Sequence, residues 1–259
     1  MAQNPVIGQN SVINQEFLRA FHQRNPGITE AVLQRAVDHG ITPYRWLADA
    51  VPKQGTVLDL ACGSAPMRRT VAPGCAYVGV DRSPAELNAA QRSGVSKLIR
   101  ADAAALPHPD AVFDTVVCSM ALMIAQPLDA VLAEIRRVLR PGGLLAATVP
   151  AEVATSAHAA RLFGLLLGTG SLPRSPNNAA LADAGAAFAR HRLRLIGDEQ
   201  RRFSFRVRTG ADAQLLLDSL YLQGTGPARM RVLSVAVRTA AVMRPSVPIP
   251  IRRLIARAE

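Results

Sequence analysis

The sequence predicts an α/β fold: a doubly wound, mostly parallel sheet of seven strands with helices on both faces. Between residues 56 and 150, five short apolar runs rich in Val, Ile and Leu alternate with segments of helical periodicity. Runs without polar alternation indicate strands covered on both sides, and intervening helices favour parallel pairing. Two further strands are expected within 190–208, and helical segments precede and follow this core.

A helical segment is expected at the N-terminus, over residues 1–50. Apolar residues recur at helical spacing on both sides of a break at 25–27, and Gly40 ends the second helix. Thr42 followed by Pro43 indicates the start of a third, short helix. The first apolar run of the core begins shortly afterwards.

The core is expected over residues 51–210 and ends in an antiparallel hairpin. The hairpin would consist of strands 190–196 and 201–208 across a turn at 197–199. In the second of these strands apolar residues alternate with Arg and Ser, which is typical of a sheet with one apolar face. The earlier strands are expected at 56–60, 76–80, 97–101, 113–119 and 144–149, and two helices at 85–92 and 128–139.

Two segments fall outside this core pattern. After the fifth strand an inserted cap is expected at about 151–178, where a helix is followed by a loop rich in Gly, Pro, Ser and Asn. A C-terminal helical extension is expected over 211–259. It would contain helices at about 212–222 and 228–243 and end in a tail that contains prolines.

The chain is basic, and its positive charge is unevenly distributed along the sequence. The formal net charge is +11, and 28 of the 30 basic residues are arginine, as a GC-rich coding bias would produce. Residues 1–185 have a net charge of +2, whereas residues 186–259 have 14 arginines against five acids. Because 49% of the residues are apolar, the chain can bury a sizeable core, and intrinsic disorder is excluded as its dominant state.

The cysteine pattern and the apolar runs bear on location. Cys62, Cys75 and Cys118 form neither a CxxC motif nor a Cys/His cluster, so no metal site is predicted and a reducing cytoplasm is expected. The N-terminus lacks the pattern of a signal peptide. No apolar run approaches the roughly 20 residues needed to cross a bilayer, so no membrane partner is expected. A homodimer is left open.

Acidic or small residues end three successive predicted strands. The first strand leads into a turn of small residues at 61–65, the second ends at Asp81, and the third is followed by Asp102. Small side chains let the backbone approach a ligand closely, and open α/β sheets bind ligands at the carboxyl edge. A carboxylate placed like Asp81 can accept hydrogen bonds from both ribose hydroxyls of a nucleoside. A nucleoside-containing cofactor is therefore predicted at this edge.

These motifs resemble, in order, those of the class I S-adenosylmethionine-dependent methyltransferases, particularly the small-molecule branch. The matching residues are the strand and turn 57–65, Asp81, Asp102, the strand 113–119 and the run 135–143 that ends in Pro-Gly-Gly. The resemblance implies S-adenosyl-L-methionine as cofactor. It implies that Asp59, Gly63 and their neighbours hold the methionine part, Asp81 the ribose, and Asp102 with the Ala103 backbone the adenine. The implied cofactor-binding residues are Asp59, Ala61, Cys62, Gly63, Ser64, Asp81, Arg82, Asp102, Ala103, Cys118 and Ser119.

The sequence also departs from the family pattern. Two of the usual glycines of the first motif are Ala61 and Ala65, which narrows the turn by a methyl group each. No histidine follows the fourth strand, where Ser119 and Met120 stand instead. A nicotinamide dinucleotide is disfavoured because Arg68 occupies the third glycine position of a GxGxxG turn.

The acceptor is expected to be a small, fairly apolar metabolite, methylated at O, N or C, with secondary metabolism as the expected setting. In relatives the segments before the first strand and after the fifth form a lid, so residues 1–50 are interpreted as an N-terminal helical lid. Candidates for a general base are His22, His158 and Tyr44, and candidates for acceptor contacts are Met120, Met123 and Phe163. Two alternatives remain: an RNA methyltransferase that uses the C-terminal arginines, and a cofactor-binding protein of this fold that does not methylate. Nucleic acid is disfavoured because aromatic residues make up only 4% of the chain.

Overall fold

The computed structural model describes residues 12–151 and 175–259, and it confirms the α/β sheet. The strands are β1 (Ala36–Val37), β2 (Gly55–Leu60), β3 (Cys75–Asp81), β4 (Leu98–Arg100), β5 (Phe113–Ser119), β6 (Leu139–Pro150), β7 (Leu193–Arg206) and β8 (Ser246–Ala258). The helices are α1 (Gln15–Arg24), α2 (Ile28–Leu33), α3 (Pro43–Ala48), α4 (Pro84–Arg92), α5 (Leu128–Val138), α6 (Asn178–Ala182), α7 (Ala184–Ala189), α8 (Gly210–Asp218) and α9 (Pro227–Ala240). Short 3-10 turns lie at Pro66–Arg69 and Ala241–Met243.

The strands form one sheet in the order β1-β7-β8-β6-β5-β2-β3-β4. The five strands from β6 to β4 are parallel, and β8 pairs antiparallel with both β6 and β7. The described sheet has eight strands where seven were predicted: the two strands expected within 190–208 are the single strand β7, and strands β1 and β8 were not predicted. The order reverses between β2 and β5, so their carboxyl ends border a crevice of the type that binds ligands in open α/β sheets.

Two predictions for the C-terminal region are wrong. The expected hairpin within 190–208 is the single strand β7, and its partner is β8 rather than its own second half. The expected proline-containing tail is β8 itself, which lies between β6 and β7, so the helical extension ends at Met243 and the sheet does not end at 210.

The residues predicted to form a turn lie within β7, where they form a bulge followed by two ion pairs. The register of β7 against β8 shifts between Leu195 and Gly197, which accommodates the glycine without reversing the chain. The two acids that follow, Asp198 and Glu199, pair with arginines of β8. Arg252 donates two hydrogen bonds to the carboxylate of Asp198, and Arg253 donates two to that of Glu199.

Three clusters of buried side chains position the sheet and its helices. One face packs against α5, α6 and α7, where Leu132, Ile135 and Phe188 are fully buried. The other face packs against α3, α4 and the 3-10 turn Pro66–Arg69, where Trp46 is 1% exposed. A third cluster joins α8 and α9 to α2 and the end of β7. Within the described ranges no helix is long and apolar enough to cross a membrane, and no cluster of His, Cys and acidic side chains could hold a metal ion.

Candidate active site

A cavity of about 920 Å³ lies at the carboxyl ends of β2, β3 and β5, bounded by α1 on the opposite side. Its volume is near the upper end of the range of roughly 300–1,000 Å³ that is typical of small-molecule sites. The cavity brings together most of the residues that the sequence singles out. Of the predicted residues it is lined by His22, Tyr44, Asp59, Ala61, Cys62, Gly63, Ser64, Asp81, Arg82, Asp102, Ala103, Ser119 and Met120.

The turn after β2 is held to the end of β3 by one carboxylate. The backbone N–H of Gly63 donates to Asp81 Oδ2 at 2.9 Å, and the N–H of Ser83 donates to Asp81 Oδ1 at 2.8 Å. Burial raises the pKa of Asp81, and these two N–H donors act in the opposite direction by stabilising the charged form. Each carboxylate oxygen keeps a second lone pair, so Asp81 can still accept bonds from a ligand's hydroxyls.

The turn requires left-handed backbone at three positions. Gly63 has φ +55°, and the two alanines that replace family glycines adopt the same region, with φ +54° at Ala61 and +59° at Ala65. Both alanines therefore adopt a backbone region that favours glycine. The consequence is backbone strain, because a Cβ disfavours this region by about 1–2 kcal/mol.

Asp59 lies beneath the turn and is almost completely buried from solvent. It is 1% exposed, and its Oδ2 accepts a hydrogen bond of 2.6 Å from the Tyr77 hydroxyl. The pKa of Asp59 is raised to about 7. Burial is the largest cause and the nearby Asp81 adds to it, whereas the hydrogen bond from Tyr77 lowers the pKa. The charge of this carboxyl therefore changes near neutral pH.

Two acids that the sequence analysis did not single out, Glu30 and Glu86, complete the lining. Ser64 Oγ donates to Glu30 on α2, while Glu86 in the first turn of α4 is 4% exposed and accepts from the Gly27 N–H at 2.9 Å. Together with the three predicted aspartates they make the cavity wall rich in carboxylates. Such a wall favours a cationic ligand.

His22 is held between two partners across the cavity wall. Its Nδ1 lies 3.0 Å from Glu86 Oε1, and its Nε2 lies 3.1 Å from the hydroxyl of Tyr221, which the sequence analysis missed. An imidazole oriented by a carboxylate and in contact with a hydroxyl has the arrangement of a proton-transfer group. Burial raises the pKa of Tyr221 well above its ordinary value, so the phenol stays protonated at neutral pH.

The predicted lid is latched by Gln15, another residue that the sequence analysis missed. Gln15 Oε1 accepts from Arg82 Nη1 at 2.8 Å, and Gln15 Nε2 donates to the carbonyl of Ile124 at 2.8 Å. Because Arg82 follows β3 and Ile124 follows β5, one side chain of α1 joins the ends of both strands. Helix α1 is thus held against the ends of both strands.

The remaining predicted residues are placed as follows. Asp102 is exposed in a turn after β4, where its carboxylate accepts from the Ala104 N–H at 2.9 Å. Ser119 Oγ lies 3.2 Å from Thr148 Oγ1. Tyr44 is 4% exposed, and burial together with nearby carboxylates raises its pKa well above the ordinary value. Tyr44 is therefore a hydrogen-bond donor at neutral pH rather than a base.

Two predicted residues among those that the structure describes, Cys118 and Met123, do not line the cavity. Cys118 is 1% exposed and Met123 is 5% exposed, and both pack in the core cluster beneath the sheet's α5 face. Burial raises the pKa of Cys118 to about 12, so its thiol is inert. His158 and Phe163 lie outside the described residues.

Comparison with known proteins identifies this part of the chain. The sequence model of the methyltransferase-domain family matches residues 58–147, which run from β2 to β6 and include the turn and the acids at the strand ends. Residues 58–147 are therefore similar to the methyltransferase domain of the class I S-adenosylmethionine-dependent methyltransferases, which are enzymes.

Curated relatives match this chain over part of their length. The demethylmenaquinone methyltransferase of Thermus thermophilus is 36% identical over 129 residues, which cover 44% of this chain and 57% of that protein. The 2-methyl-6-phytyl-1,4-hydroquinone methyltransferase of Synechocystis is 33% identical over 133 residues, covering 48% of this chain and 41% of that protein. The chain thus spans about half the length of the curated relatives it matches.

The likeness to a solved structure extends over nearly the whole fold of this chain. The 4+2 cyclase SpnF superposes with a TM-score of 0.60 at 18% identity, covering 96% of this chain and 99% of that one. At this identity the likeness shows the fold alone. Because this neighbour is named a cyclase, the fold by itself does not determine the reaction.

The cavity fits the cofactor that the resemblance to this family implies. A nucleoside linked to an amino acid needs room at the strand ends, a backbone that approaches closely and acceptors for hydroxyl groups. The cavity volume, the left-handed turn at 61–65 and the free lone pairs of Asp81 meet these needs. The carboxylate-rich wall also suits a sulfonium and an ammonium group.

Proposed function

We propose that this chain transfers a methyl group from S-adenosylmethionine to an O, N or C atom of a small, apolar acceptor. The observation that supports this most is the position of Asp81. Its carboxylate closes the small-residue turn of β2 against the end of β3, at the reversal point of the sheet, with lone pairs left for a ribose. In this proposal Asp102 and Ala103 border the adenine, and Asp59 and Gly63 border the methionine part.

When bound, the cofactor supplies an electrophilic methyl group on a positively charged sulfur. The chain's part is to hold the two reactants in line and to keep water out, which can contribute several kcal/mol of the barrier reduction. The latch through Gln15 closes α1 over the crevice and so limits access of water. The carboxylates of Asp59 and Glu86 stabilise positive charge in the cavity before transfer.

The acceptor class follows from the rest of the lining. Leu18, Met120 and Ile124 line the same cavity as the acids, so an acceptor beside the cofactor would meet apolar side chains. Relatives of this chain are named for a quinone and a phytyl hydroquinone, which are apolar ring compounds. We therefore place the acceptor among small apolar ring compounds, with secondary metabolism as the proposed setting.

Removal of a proton from an oxygen or nitrogen acceptor is assigned to His22. Its Nε2 contacts the Tyr221 hydroxyl, which also lines the cavity, and its Nδ1 is oriented by Glu86. A proton can thus move from an acceptor to His22 directly or through the tyrosine hydroxyl. Glu86 stabilises the imidazolium that results.

Internal ion pairs weaken the alternative of an RNA substrate. Arg252 and Arg253 bind Asp198 and Glu199, and Arg194 lies 3.4 Å from a carboxylate oxygen of Glu259. Part of the positive charge after residue 186 is therefore neutralised within the fold. Small-molecule methylation remains the proposal.

The test is calorimetric titration of the full chain with S-adenosylmethionine, followed by transfer of labelled methyl to a panel of quinols and phenols. We expect binding at submillimolar concentration, and at least about tenfold weaker binding for Asp81→Ala because two or more hydrogen bonds are lost. Asp110→Ala, an exposed acid outside the cavity, is the matched control. Absence of binding by the native chain would overturn the proposal. Binding without transfer to any acceptor, including RNA, would favour the non-methylating alternative.

A further inference from the structure

The outward side of α9 and of the 3-10 turn that continues it is apolar. Val232, Val235, Val242 and Met243 are 68%, 67%, 84% and 69% exposed, and we call them the outer face of α9. The opposite side of the same helix is buried in the third cluster through Leu233 and Val237. The outer face is therefore a second apolar stripe, which the described residues leave in contact with solvent.

Positive charge surrounds this stripe. The segment 219–244, which contains α9 and the 3-10 turn, has four arginines and neither Asp nor Glu. Arg231 and Arg238 lie four residues before and three residues after Val235, so they are its neighbours on the helix surface, and both are exposed. Among the described residues no ion pair involves Arg231, Arg238 or Arg244.

We propose that the outer face of α9 binds the surface of an anionic membrane. The valines and Met243 would enter the boundary between headgroups and acyl chains, while Arg231 and Arg238 contact lipid phosphates. Apolar residues on one face with basic residues beside them are the pattern of helices that lie in a membrane surface. No spanning helix is required, so the finding that no described helix could cross a membrane is compatible with this mode of attachment. The proposal departs from the expectation that no membrane is contacted.

Other partners fit the outer face less well. A second copy of the chain would bring its own Arg231 and Arg238 against those of the first, so like charges would oppose association. A nucleic acid would be attracted by the arginines, but this face offers valines and a methionine rather than aromatic rings for base stacking. The anionic lipid surface matches both the charge and the apolar side chains.

The position of α9 connects this surface to the cavity. The connection from α8 to α9 contains Tyr221, which lines the cavity and contacts His22. Only six positions separate Tyr221 from Pro227, the first residue of α9. If the proposed function holds, attachment at α9 would bring the site to a bilayer in which an apolar acceptor dissolves. Membrane binding itself does not depend on methyl transfer.

The test is sedimentation of the full chain with phosphatidylcholine vesicles that contain or lack phosphatidylglycerol. We expect binding to the anionic vesicles only, weakened by added salt. Val232→Asp combined with Val235→Asp should lower the partition at least tenfold, and Arg231→Gln combined with Arg238→Gln should weaken it and reduce its salt dependence. Ile196→Asp, on β7, is the matched control because its side chain is also exposed, at 43%.

Each other outcome would overturn the proposal. Failure to bind anionic vesicles would do so directly. Size-exclusion chromatography that shows a dimer dissociated by the paired Asp substitutions would assign the face to a second copy. A large loss of thermal stability in the same variant would show that a segment of this chain covers the face. Binding of RNA but not of vesicles would assign the arginines to nucleic acid. None of these readouts requires methyl transfer, so this proposal and the proposed function can fail separately.

Discussion

The Tyr77 hydroxyl donates a 2.6 Å hydrogen bond to Asp59 Oδ2 across neighbouring strands, in a buried position beneath the turn at 61–65. The contact depends on Gly79, which stands opposite Asp59 in the register of β2 and β3. A Cβ at Gly79 would lie 3.3 Å from the Tyr77 hydroxyl and 2.8 Å from a methyl of Leu98. The missing side chain thus leaves room for the tyrosine to reach the acid.

This buried acid predicts a pH-dependent stability. The pKa of Asp59 is about 7 in the folded chain, against an ordinary value of 3.8. The folded state therefore favours the protonated form, and the stability contributed by Asp59 is full below about pH 4 and is lost as the pH rises to about 7. Asp59→Asn removes this loss. Compared with that of the native chain, the free energy of unfolding of Asp59→Asn should be about 2–3 kcal/mol larger at pH 8 than at pH 5, measured by urea denaturation.

A second variant separates the acid from its hydrogen bond. The Tyr77 bond lowers the pKa of Asp59, so Tyr77→Phe should move the loss of stability to higher pH without abolishing it. Identical pH dependence of stability in Asp59→Asn and the native chain would show that Asp59 does not titrate in this range.

The left-handed turn predicts a stabilising substitution. Ala61 has φ +54°, which glycine adopts without the strain that a Cβ introduces. Glycine also increases the entropy of the unfolded chain, which offsets part of the gain. Ala61→Gly should raise the free energy of unfolding by about 0.5–1 kcal/mol, measured by thermal or denaturant unfolding.

Ala101→Gly is the matched control for this substitution. Ala101 also lines the cavity and is half-buried, but it is not among the residues with positive φ. The free energy of unfolding of Ala101→Gly should be about 0.5–1 kcal/mol lower than that of the native chain, because the substitution increases the entropy of the unfolded state without relieving strain. Equal effects at both positions would mean that the turn is not strained.

The latch predicts a change in how long the cofactor stays bound. Gln15→Ala removes the hydrogen bonds that join α1 to Arg82 and to the Ile124 carbonyl. At roughly 1 kcal/mol for each net bond, dissociation of S-adenosylmethionine should accelerate about tenfold, with little change in the association rate. Stopped-flow measurement with a chasing ligand gives both rates. Glu16→Ala, an exposed change on the same helix, should leave both rates unaltered, and an unaltered dissociation rate in Gln15→Ala would contradict the latch.

The parallel half of the sheet could be predicted because each of its strands is a continuous apolar run. Strands buried on both faces need apolar residues at every position, so the runs at 56–60, 76–80 and 113–119 are unambiguous. The positions of the turn at 61–65 and of the acids at the strand ends could be predicted for a related reason. They lie directly after these strands in sequence, so the position of the strand determines their position in the site.

Strand β8 was missed because its prolines argue against a central strand. Pro248 and Pro250 precede Ile251, where pairing with β6 ends, so their lack of N–H groups removes no ladder bond on that side. The carbonyl of Pro250 still accepts from the Ala151 N–H at 3.1 Å. The prolines are tolerated in β8 because β6 ends beside them, which the sequence of β8 does not reveal.

The missed site residues share a different cause. Glu30 and Tyr221 line the cavity, and Gln15 bonds Arg82 and Ile124 beside it. All three come from helices and a loop that lie far from the motif in sequence. Their contacts depend on how the lid and the C-terminal helices pack, and no local pattern encodes that packing. Glu86 is closer to the motif, but at the start of α4 it has the same signature as an ordinary helix-stabilising acid.

The contact between His22 and Tyr221 predicts how proton removal can be separated from lid packing. His22→Gln keeps a polar side chain able to hydrogen-bond Glu86 and Tyr221, but it cannot accept a proton near neutral pH. If His22 receives the acceptor's proton, kcat for an oxygen or nitrogen acceptor should fall about 100-fold, while the Kd for S-adenosylmethionine changes less than about threefold. His39→Gln, whose side chain is 94% exposed, should alter neither value. Since glutamine can maintain the packing of α1, recovery of native kcat in His22→Gln would assign His22 a structural role only.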